Sequence, residues 1–258
     1  MPIRNHNLLV TFVGFALIAL GGCKSGDAGS SPPPITPITD NIFPLVAGHQ
    51  YVYTGYLVEA DSIDMRVADQ PTPYRTSWTL LGSPPAPSGI WFILDSTTVG
   101  TSTSVHLLPV RRDSTTGDLF LRQTLGPFYR RVGIPYADTG IWVRLISPAH
   151  GIGNIWTAFD TTETITLGEQ TAQVHLEVFG ETETQETITD SSSAHNSYTA
   201  YRVRIWRKVT ASGFVVQDDA TTARLWLVKD IGPVQVTLAG DPENFGHFRV
   251  LQSKNFSR

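Results

Sequence analysis

The chain has 258 residues, of which 41% are hydrophobic, 16% charged and 10% aromatic, and this composition excludes a disordered protein. It is long enough to bury one substantial core. The formal net charge is -4 and the basic residues are scattered, which argues against a nucleic-acid partner. The chain has one cysteine, Cys23, which cannot form an intramolecular disulfide.

The first 22 residues have the organisation of a bacterial signal peptide. A short polar start precedes an apolar run from Leu8 to Leu20, which is too short for the ~20 residues of a spanning helix. The run ends in Leu20-Gly21-Gly22-Cys23, which resembles the bacterial lipobox. This resemblance implies cleavage between Gly22 and Cys23 and attachment of lipid to the Cys23 thiol. A signal peptide with an incidental cysteine and a membrane-spanning anchor are the alternatives.

Lipidation of Cys23 predicts where the protein resides. Two or more acyl chains anchor a protein stably, at ~0.8 kcal/mol for each buried methylene. Lys24 follows the cysteine, whereas in the proteobacterial lipoproteins that this signal resembles, Asp at that place retains the protein in the inner membrane. We therefore expect a lipoprotein of the bacterial cell envelope, anchored in the outer membrane, with the face of that membrane left open.

Residues 23–41 are predicted to form a disordered tether between the anchor and the folded part. They are small, polar and proline-rich, with Pro32-Pro33-Pro34 and no hydrophobic periodicity. The proline-rich half is expected to be extended, at ~3.1 Å per residue, and so to hold the domain away from the membrane.

From Ile42 onward the hydrophobic pattern has a period of two, which is typical of β-strands. No window has the spacing of an amphipathic helix over three turns, and turn signals rich in glycine and proline separate the segments. Twelve segments are predicted as strands: Tyr51–Val58, Thr76–Leu81, Ile90–Thr97, Ser104–Val110, Leu119–Leu125, Ile141–Ile146, Glu163–Leu167, Gln173–Phe179, Tyr201–Val209, Arg224–Lys229, Val234–Leu238 and His247–Leu251.

Strands without intervening helices predict an all-β fold. We expect an antiparallel meander that forms a barrel, a half-barrel or a strongly curved sheet, because such closure limits exposed edges. All-β domains of ~200–250 residues are common as one unit, so one domain is expected over residues 42–258. A division near residues 147–154, where Pro148 interrupts the strands, is the alternative.

The clearest alternation lies in the segment Tyr201–Val209. Its aliphatic side chains face one way, whereas Arg202, Arg204 and Trp206 face the other. Aromatic residues on a concave sheet can line an apolar cavity. All six tryptophans are candidates for this role, with the core as the alternative, and these three residues are the predicted ligand-facing set. A plain cation–π contact on an exposed sheet is the other interpretation.

Several motifs resemble a group of uncharacterised, exported, β-rich bacterial lipoproteins. Those proteins open the mature domain with Phe-Pro-Leu, a glycine and an aromatic-x-Tyr strand, and carry a Gly-x-x-Trp element and a Trp…Gly-x-Val ending. The likeness here lies in Ile42–Tyr53, Gly153–Trp156, Ser197–Val203 and Ala223–Val234. It implies an outer-membrane or periplasm-facing lipoprotein and brings no catalytic residues.

The sequence holds no recognisable catalytic or metal-binding motif. Its histidines are dispersed singly, so solvated or hydrogen-bonded side chains are expected, including those of His175 and His247. There is no Gly-x-Ser-x-Gly element. Carboxylates between Asp160 and Glu186 could pair for sugar hydrolysis, but hairpins rich in Glu and Thr are typically solvated. We therefore expect no enzyme, no cofactor and no metal.

Together these features predict a non-catalytic lipoprotein that is attached to the membrane through Cys23. Its β domain is expected to bind a small apolar or envelope ligand, or an envelope protein. A structural or assembly module without a ligand is the first alternative, and a hydrolase is the second. A continuous cavity flanked by Trp206 and other aromatics would favour binding, whereas an interior filled by side chains would favour assembly.

Overall fold

The computed structural model describes residues 34–59, 62–68, 73–82, 89–123, 140–167, 170–212, 214–240 and 245–257. The signal peptide, Gly22, Cys23 and most of the predicted tether lie outside these ranges. Within them, no helix has the length and apolar character needed to cross a membrane.

Twelve β-strands make up the described fold, with a short 3₁₀ turn at Pro148–His150 between the sixth and seventh. In chain order they are β1 Gln50–Val58, β2 Tyr74–Leu81, β3 Ile90–Val99, β4 Ser102–Arg112, β5 Leu119–Gln123, β6 Ile141–Ile146, β7 Ile155–Leu167, β8 Gln170–Thr189, β9 Ser197–Ala211, β10 Phe214–Val228, β11 Gly232–Leu238 and β12 Gly246–Lys254. Each corresponds to one of the predicted segments, which confirms the all-β fold class.

β7 and β8 are longer than predicted, as is β10, which begins at Phe214 rather than at Arg224. β7 begins at Ile155 rather than at Glu163, and β8 continues to Thr189 rather than ending at Phe179. The cross-strand register shifts between Thr157 and Phe159 and again between Thr182 and Thr184. A β-bulge adds one residue to a strand and so breaks the period of two, which hid both extensions from the sequence pattern.

The strands form one antiparallel sheet that curves into a nearly closed barrel. Their order is β6-β5-β4-β3-β2-β1-β12-β11-β10-β9-β8-β7, so sequence neighbours pair except for β6 and β7, which are the two end strands, and β1 pairs with β12. The two end strands also meet, because the indole Nε1–H of Trp156 in β7 donates to the carbonyl oxygen of Arg144 in β6 over 3.2 Å. Of the three predicted shapes, barrel, half-barrel and strongly curved sheet, the chain therefore adopts the barrel.

Gly180 gives Trp156 the space that this contact requires. A Cβ atom at Gly180 would lie 2.3 Å from Cε2 of the Trp156 ring. Gly180→Ala is therefore expected to lower the free energy of unfolding by ~1–3 kcal/mol, the usual cost of overpacking, as measured by urea denaturation. Gly82→Ala is the matched control, since a Cβ there would lie 3.3 Å from the Cβ of Ala47. Equal small losses of unfolding free energy in both variants would contradict a tight fit between Gly180 and Trp156.

The chain packs against the barrel a few residues before the predicted boundary at Ile42. Ile38 is buried, and its amide donates to the carbonyl oxygen of Pro148 over 2.9 Å. Asp40 lies 2.9 Å from Nζ of Lys229 and accepts a hydrogen bond from the hydroxyl of Tyr201. The contacts with Lys229 and then Tyr201 lower the pKa of Asp40. Composition alone predicted a tether here because it could not reveal these tertiary contacts.

Aromatic side chains fill the part of the interior next to β11. Tyr51 and Tyr53 are fully buried on one face of β1, and their hydroxyls donate to the carbonyl oxygens of Ile231 and Pro233 over 2.8 and 3.0 Å. Burial raises the pKa of both tyrosines. Both rings are therefore held in the interior by the backbone at the start of β11.

Candidate ligand-binding cavity

The barrel encloses a cavity of about 810 Å³. Its walls come from both halves of the sheet, with β2 to β6 on one side and β10 to β12 on the other. Aliphatic and aromatic side chains predominate in the lining, among them Trp78, Ile93, Leu121, Leu145, Leu225 and Val236. The volume lies in the range of small-molecule binding sites, which are concave and mostly apolar.

Exposed lining residues mark the mouth of the cavity. His106 and Leu107 of β4 and Arg122 of β5 are all solvent-exposed. β4 pairs with β5 only through Val110 to Arg112, so within the described part of the chain its first half is bonded to β3 alone. Among the described residues, this part of β4 therefore forms the rim of the cavity.

A buried ion pair forms the polar part of the cavity wall. Arg249 is only 3% exposed, and its Nη1 donates to Oδ2 of Asp95 over 2.9 Å. Its Nη2 donates to the hydroxyl of Thr97 over 3.3 Å, and that hydroxyl in turn donates to Oδ1 of Asp95. The guanidinium also lies over the Trp78 ring, 5.6 Å from its centroid. Both carboxylate oxygens are therefore used, and the two charges cancel inside the barrel.

A second chain of hydrogen bonds runs from Arg249 to His247. Nε of Arg249 donates to the hydroxyl oxygen of Tyr74 over 3.1 Å, and Tyr74 lies 3.1 Å from Nδ1 of His247. Burial first, and the charge of Arg249 second, lower the pKa of His247 from 6.5 to about 4, so the imidazole is neutral at pH 7. Because the Tyr74 oxygen already accepts from Arg249, we assign its O–H as the donor to Nδ1, and this assignment places the imidazole proton on Nε2.

His247 is expected to make the protein less stable in acid. The unfolded chain takes up this proton near pH 6.5 and the folded chain only near pH 4, so between these values the unfolded state binds more protons. The free energy of unfolding should therefore fall by up to about 3 kcal/mol from this group as the pH falls through that window. The groups that face the imidazole are Tyr74, Asp95, His106 and Arg249.

Urea denaturation across this pH range measures the effect. In His247→Gln, which does not titrate there, the loss of stability on acidification should be smaller by that amount. An equal loss in His247→Gln and the native protein would assign the acid sensitivity to another group.

The three residues predicted to face a ligand lie outside this cavity. Arg202 pairs with Glu183 and Glu186 on the neighbouring strand. Arg204 lies over the ring of Trp206, 4.8 Å from its centroid. A cation–π contact was the alternative interpretation of these residues in the sequence. Trp206 is also buried. A ligand-facing role for Arg202, Arg204 and Trp206 stays a prediction.

One group of potential metal ligands lies on the β7–β8 hairpin. Asp160, His175 and Glu177 share a face, with ligand atoms within 4.8 Å of one another. Nε2 of His175 is 2.9 Å from Asp160, whereas Glu177 lies 3.9 Å from the other ring nitrogen, Nδ1. A tetrahedral zinc site needs ligand atoms about 2.0–2.2 Å from one ion. The carboxylates instead flank opposite nitrogens of the ring, and the contact with Asp160 has the geometry of a hydrogen bond.

Asp95 and Arg249 were not recognised in the sequence as site residues. A signal for them exists, because each occupies an inward position of an alternating strand. Asp95 follows Ile93 at a spacing of two, and Arg249 precedes Leu251 in the same way. A charged residue in a row of buried apolar positions needs a partner, but the pattern does not reveal which strand supplies it.

No protein-family model matches the chain, and no curated protein matches it. Among solved structures, the chain is similar to a "putative lipoprotein" from Parabacteroides distasonis ATCC 8503, at 13% identity and a TM-score of 0.45, over 84% of this chain and 99% of that one. It is also similar to a "putative exported protein with YmcC-like fold" from Bacteroides fragilis NCTC 9343, at 11% identity and a TM-score of 0.38, over 83% of this chain and 98% of that one. The barrel described above is established by the chain's own strand pairing.

Proposed function

We propose that this protein is a non-catalytic lipoprotein of the bacterial outer membrane whose barrel binds a small apolar ligand. The observation that carries the proposal is the cavity of about 810 Å³, which is lined mainly by apolar side chains and opens beside β4. A preformed concave apolar site that keeps a few fixed polar groups is the usual form of a ligand pocket. The alternative, an assembly module with a solid interior, is disfavoured by the same cavity.

The membrane attachment in this proposal rests on the sequence. Leu20-Gly21-Gly22-Cys23 supports lipidation at Cys23, and Lys24 in the next position supports sorting to the outer membrane. Ile38 is the first buried residue of the described chain, so 14 residues, 24 to 37, separate it from the lipid-bearing cysteine. At ~3 Å per residue, such a segment lets the barrel stand tens of ångströms from the membrane surface.

The absence of catalysis is supported by how the polar groups of the cavity are used. Asp95 would be the natural general base, yet both of its carboxylate oxygens accept hydrogen bonds, from Arg249 and from Thr97. His247 accepts a hydrogen bond at Nδ1 and is neutral at pH 7. A general base must lie within hydrogen-bond reach of the substrate proton, whereas the hydrogen bonds of Asp95 and His247 are directed to Arg249, Thr97 and Tyr74.

Blocking the cavity tests the proposal. The full chain carrying Cys23→Ala provides a form without acyl chains, which would compete for an apolar probe. We expect it to bind N-phenyl-1-naphthylamine with increased probe fluorescence. Adding Ala223→Trp, which places an indole in the cavity, should weaken binding at least about tenfold, the equivalent of ~1.4 kcal/mol.

The control places the same side chain elsewhere. Ala194→Trp lies at the exposed turn between β8 and β9 and should bind the probe as the parent does. Leu108→Trp, on the opposite wall of the cavity, is a second blocking variant in case Ala223→Trp does not fold. Unchanged binding in a folded blocking variant would place the probe outside the barrel and would contradict the proposal.

A further inference from the structure

The charge balance inside the cavity restricts the class of ligand that it can take. The polar wall contains one cation, Arg249, and one anion, Asp95, which are bonded to each other over 2.9 Å. His247 adds no charge, because burial keeps it neutral at pH 7. Among the described residues, the interior wall therefore offers no unpaired charge, and a charged group that entered would lose its hydration without gaining a counter-ion.

Arg249 is also occupied in hydrogen bonding. Its Nε, Nη1 and Nη2 atoms donate to Tyr74, Asp95 and Thr97 respectively. A ligand carboxylate or phosphate that bound the remaining N–H groups of this guanidinium would bring a second anion beside Asp95, with one buried cation between them. One of the two anions would then be buried without a counter-ion, which is a severe penalty in an apolar interior.

His247 leaves one donor available. Its Nδ1 accepts from the Tyr74 hydroxyl, so Nε2 carries the proton. Within the described part of the chain, Nε2 has no hydrogen-bond partner, and His247 lines the cavity. A neutral N–H donor in an apolar cavity is matched by an uncharged acceptor, such as the carbonyl oxygen of an ester or amide.

We propose that the cavity selects an uncharged apolar ligand that carries a carbonyl acceptor, such as an acyl ester, which accepts a hydrogen bond from Nε2 of His247. This inference rests on the proposed function and narrows it from apolar molecules in general to one chemical class. Arg122 is the cationic lining residue at the solvent-exposed mouth. Arg122 could instead bind the anionic head group of an amphiphilic ligand at the mouth, so that only the apolar tail of that ligand enters the cavity. This is the competing arrangement.

Two pairs of probes that differ in charge test the inference, again with the full chain carrying Cys23→Ala. N-phenyl-1-naphthylamine and 8-anilino-1-naphthalenesulfonate share one aromatic framework, and the second adds a sulfonate. Methyl palmitate and palmitate share one acyl chain, and the second carries a carboxylate. We expect N-phenyl-1-naphthylamine to bind at least about tenfold more tightly than the sulfonate. We also expect methyl palmitate to displace N-phenyl-1-naphthylamine at concentrations at least about tenfold lower than palmitate does.

Variants of His247 test the acceptor. His247→Phe keeps an aromatic ring but has no N–H. It should lower the affinity for methyl palmitate several-fold and leave the affinity for N-phenyl-1-naphthylamine unchanged. His247→Gln retains an N–H donor and should restore part of the affinity for the ester. Circular dichroism checks that both variants are folded. Equal affinity of the ester for all three proteins would overturn the role of His247.

The failure of this inference can be distinguished from the failure of the proposed function. If the sulfonate and palmitate bind as tightly as their uncharged counterparts, the cavity binds apolar molecules but does not select against charge, and only the inference is overturned. If Arg122→Gln then removes the affinity for palmitate, the head group is recognised at the mouth. If N-phenyl-1-naphthylamine does not bind, both the proposed function and the inference are wrong.

Discussion

Asp95→Ala is expected to lower the free energy of unfolding by about 3–5 kcal/mol, the usual cost of breaking a buried ion pair. The substitution leaves the guanidinium of Arg249, which is only 3% exposed, without its carboxylate partner. It also removes the acceptor of the Thr97 hydroxyl. The penalty comes mainly from the charge that stays buried, rather than from the loss of attraction. Urea denaturation at neutral pH measures it.

Removal of both charges provides the control. In Asp95→Leu with Arg249→Met no unpaired charge stays in the barrel, and replacement of a buried pair by apolar side chains is often close to neutral. We therefore expect the double variant to recover most of the stability that Asp95→Ala loses. A loss of less than about 1 kcal/mol in Asp95→Ala, which is the range of exposed pairs, would contradict the buried pair.

Cys23→Ala is expected to abolish membrane attachment and lipid labelling entirely. The thiol of Cys23 is the only one in the chain, and a hydroxyl or methyl group cannot take its place as the nucleophile that accepts the lipid. Without acyl chains the free energy of anchoring, ~0.8 kcal/mol per buried methylene, is lost. Metabolic labelling with a radioactive fatty acid and separation of membrane and soluble fractions measure both effects.

Two neighbouring substitutions complete this experiment. Ser25→Ala leaves the lipobox intact and should be labelled and retained like the native protein. Lys24→Asp should be labelled equally but move to the inner membrane, if the sorting rule that the signal resembles applies. Equal labelling of Cys23→Ala and the native protein would contradict lipidation at Cys23, whereas membrane retention of a native protein that carries no label would favour an uncleaved membrane-spanning segment.

Local patterns in the sequence were sufficient to predict most of the fold. Alternation in segments such as Tyr201–Val209 predicted where strands lie, and glycines at Gly48, Gly153 and Gly232 predicted turns. All three glycines have positive φ angles, from 77° to 101°, a conformation that glycine adopts without strain. The closure of the barrel could not be predicted, because it depends on the contact between Trp156 and the backbone of β6 across the seam.

The polar wall of the cavity was not predicted from the sequence, and the predicted ligand-facing residues lie elsewhere on the sheet. The sequence singled out Trp206 because it shares a face with Arg202 and Arg204, but a strand pattern does not distinguish an inner surface from an outer one. The polar wall depends on Asp95 and Arg249, which are separated by more than 150 residues. Such a pairing follows from the order of strands in the barrel, and that order emerges only once β1 pairs with β12.

The most direct test of whether the barrel carries an apolar ligand is to identify the molecules bound to the protein after its purification from its own membrane. The native lipoprotein and the Ala223→Trp variant would be isolated in parallel, extracted with organic solvent and compared by mass spectrometry. The account predicts close to one equivalent of an uncharged, carbonyl-containing apolar molecule in the native extract, and its loss from the Ala223→Trp extract. The same molecules in the same amounts in both extracts would contradict it.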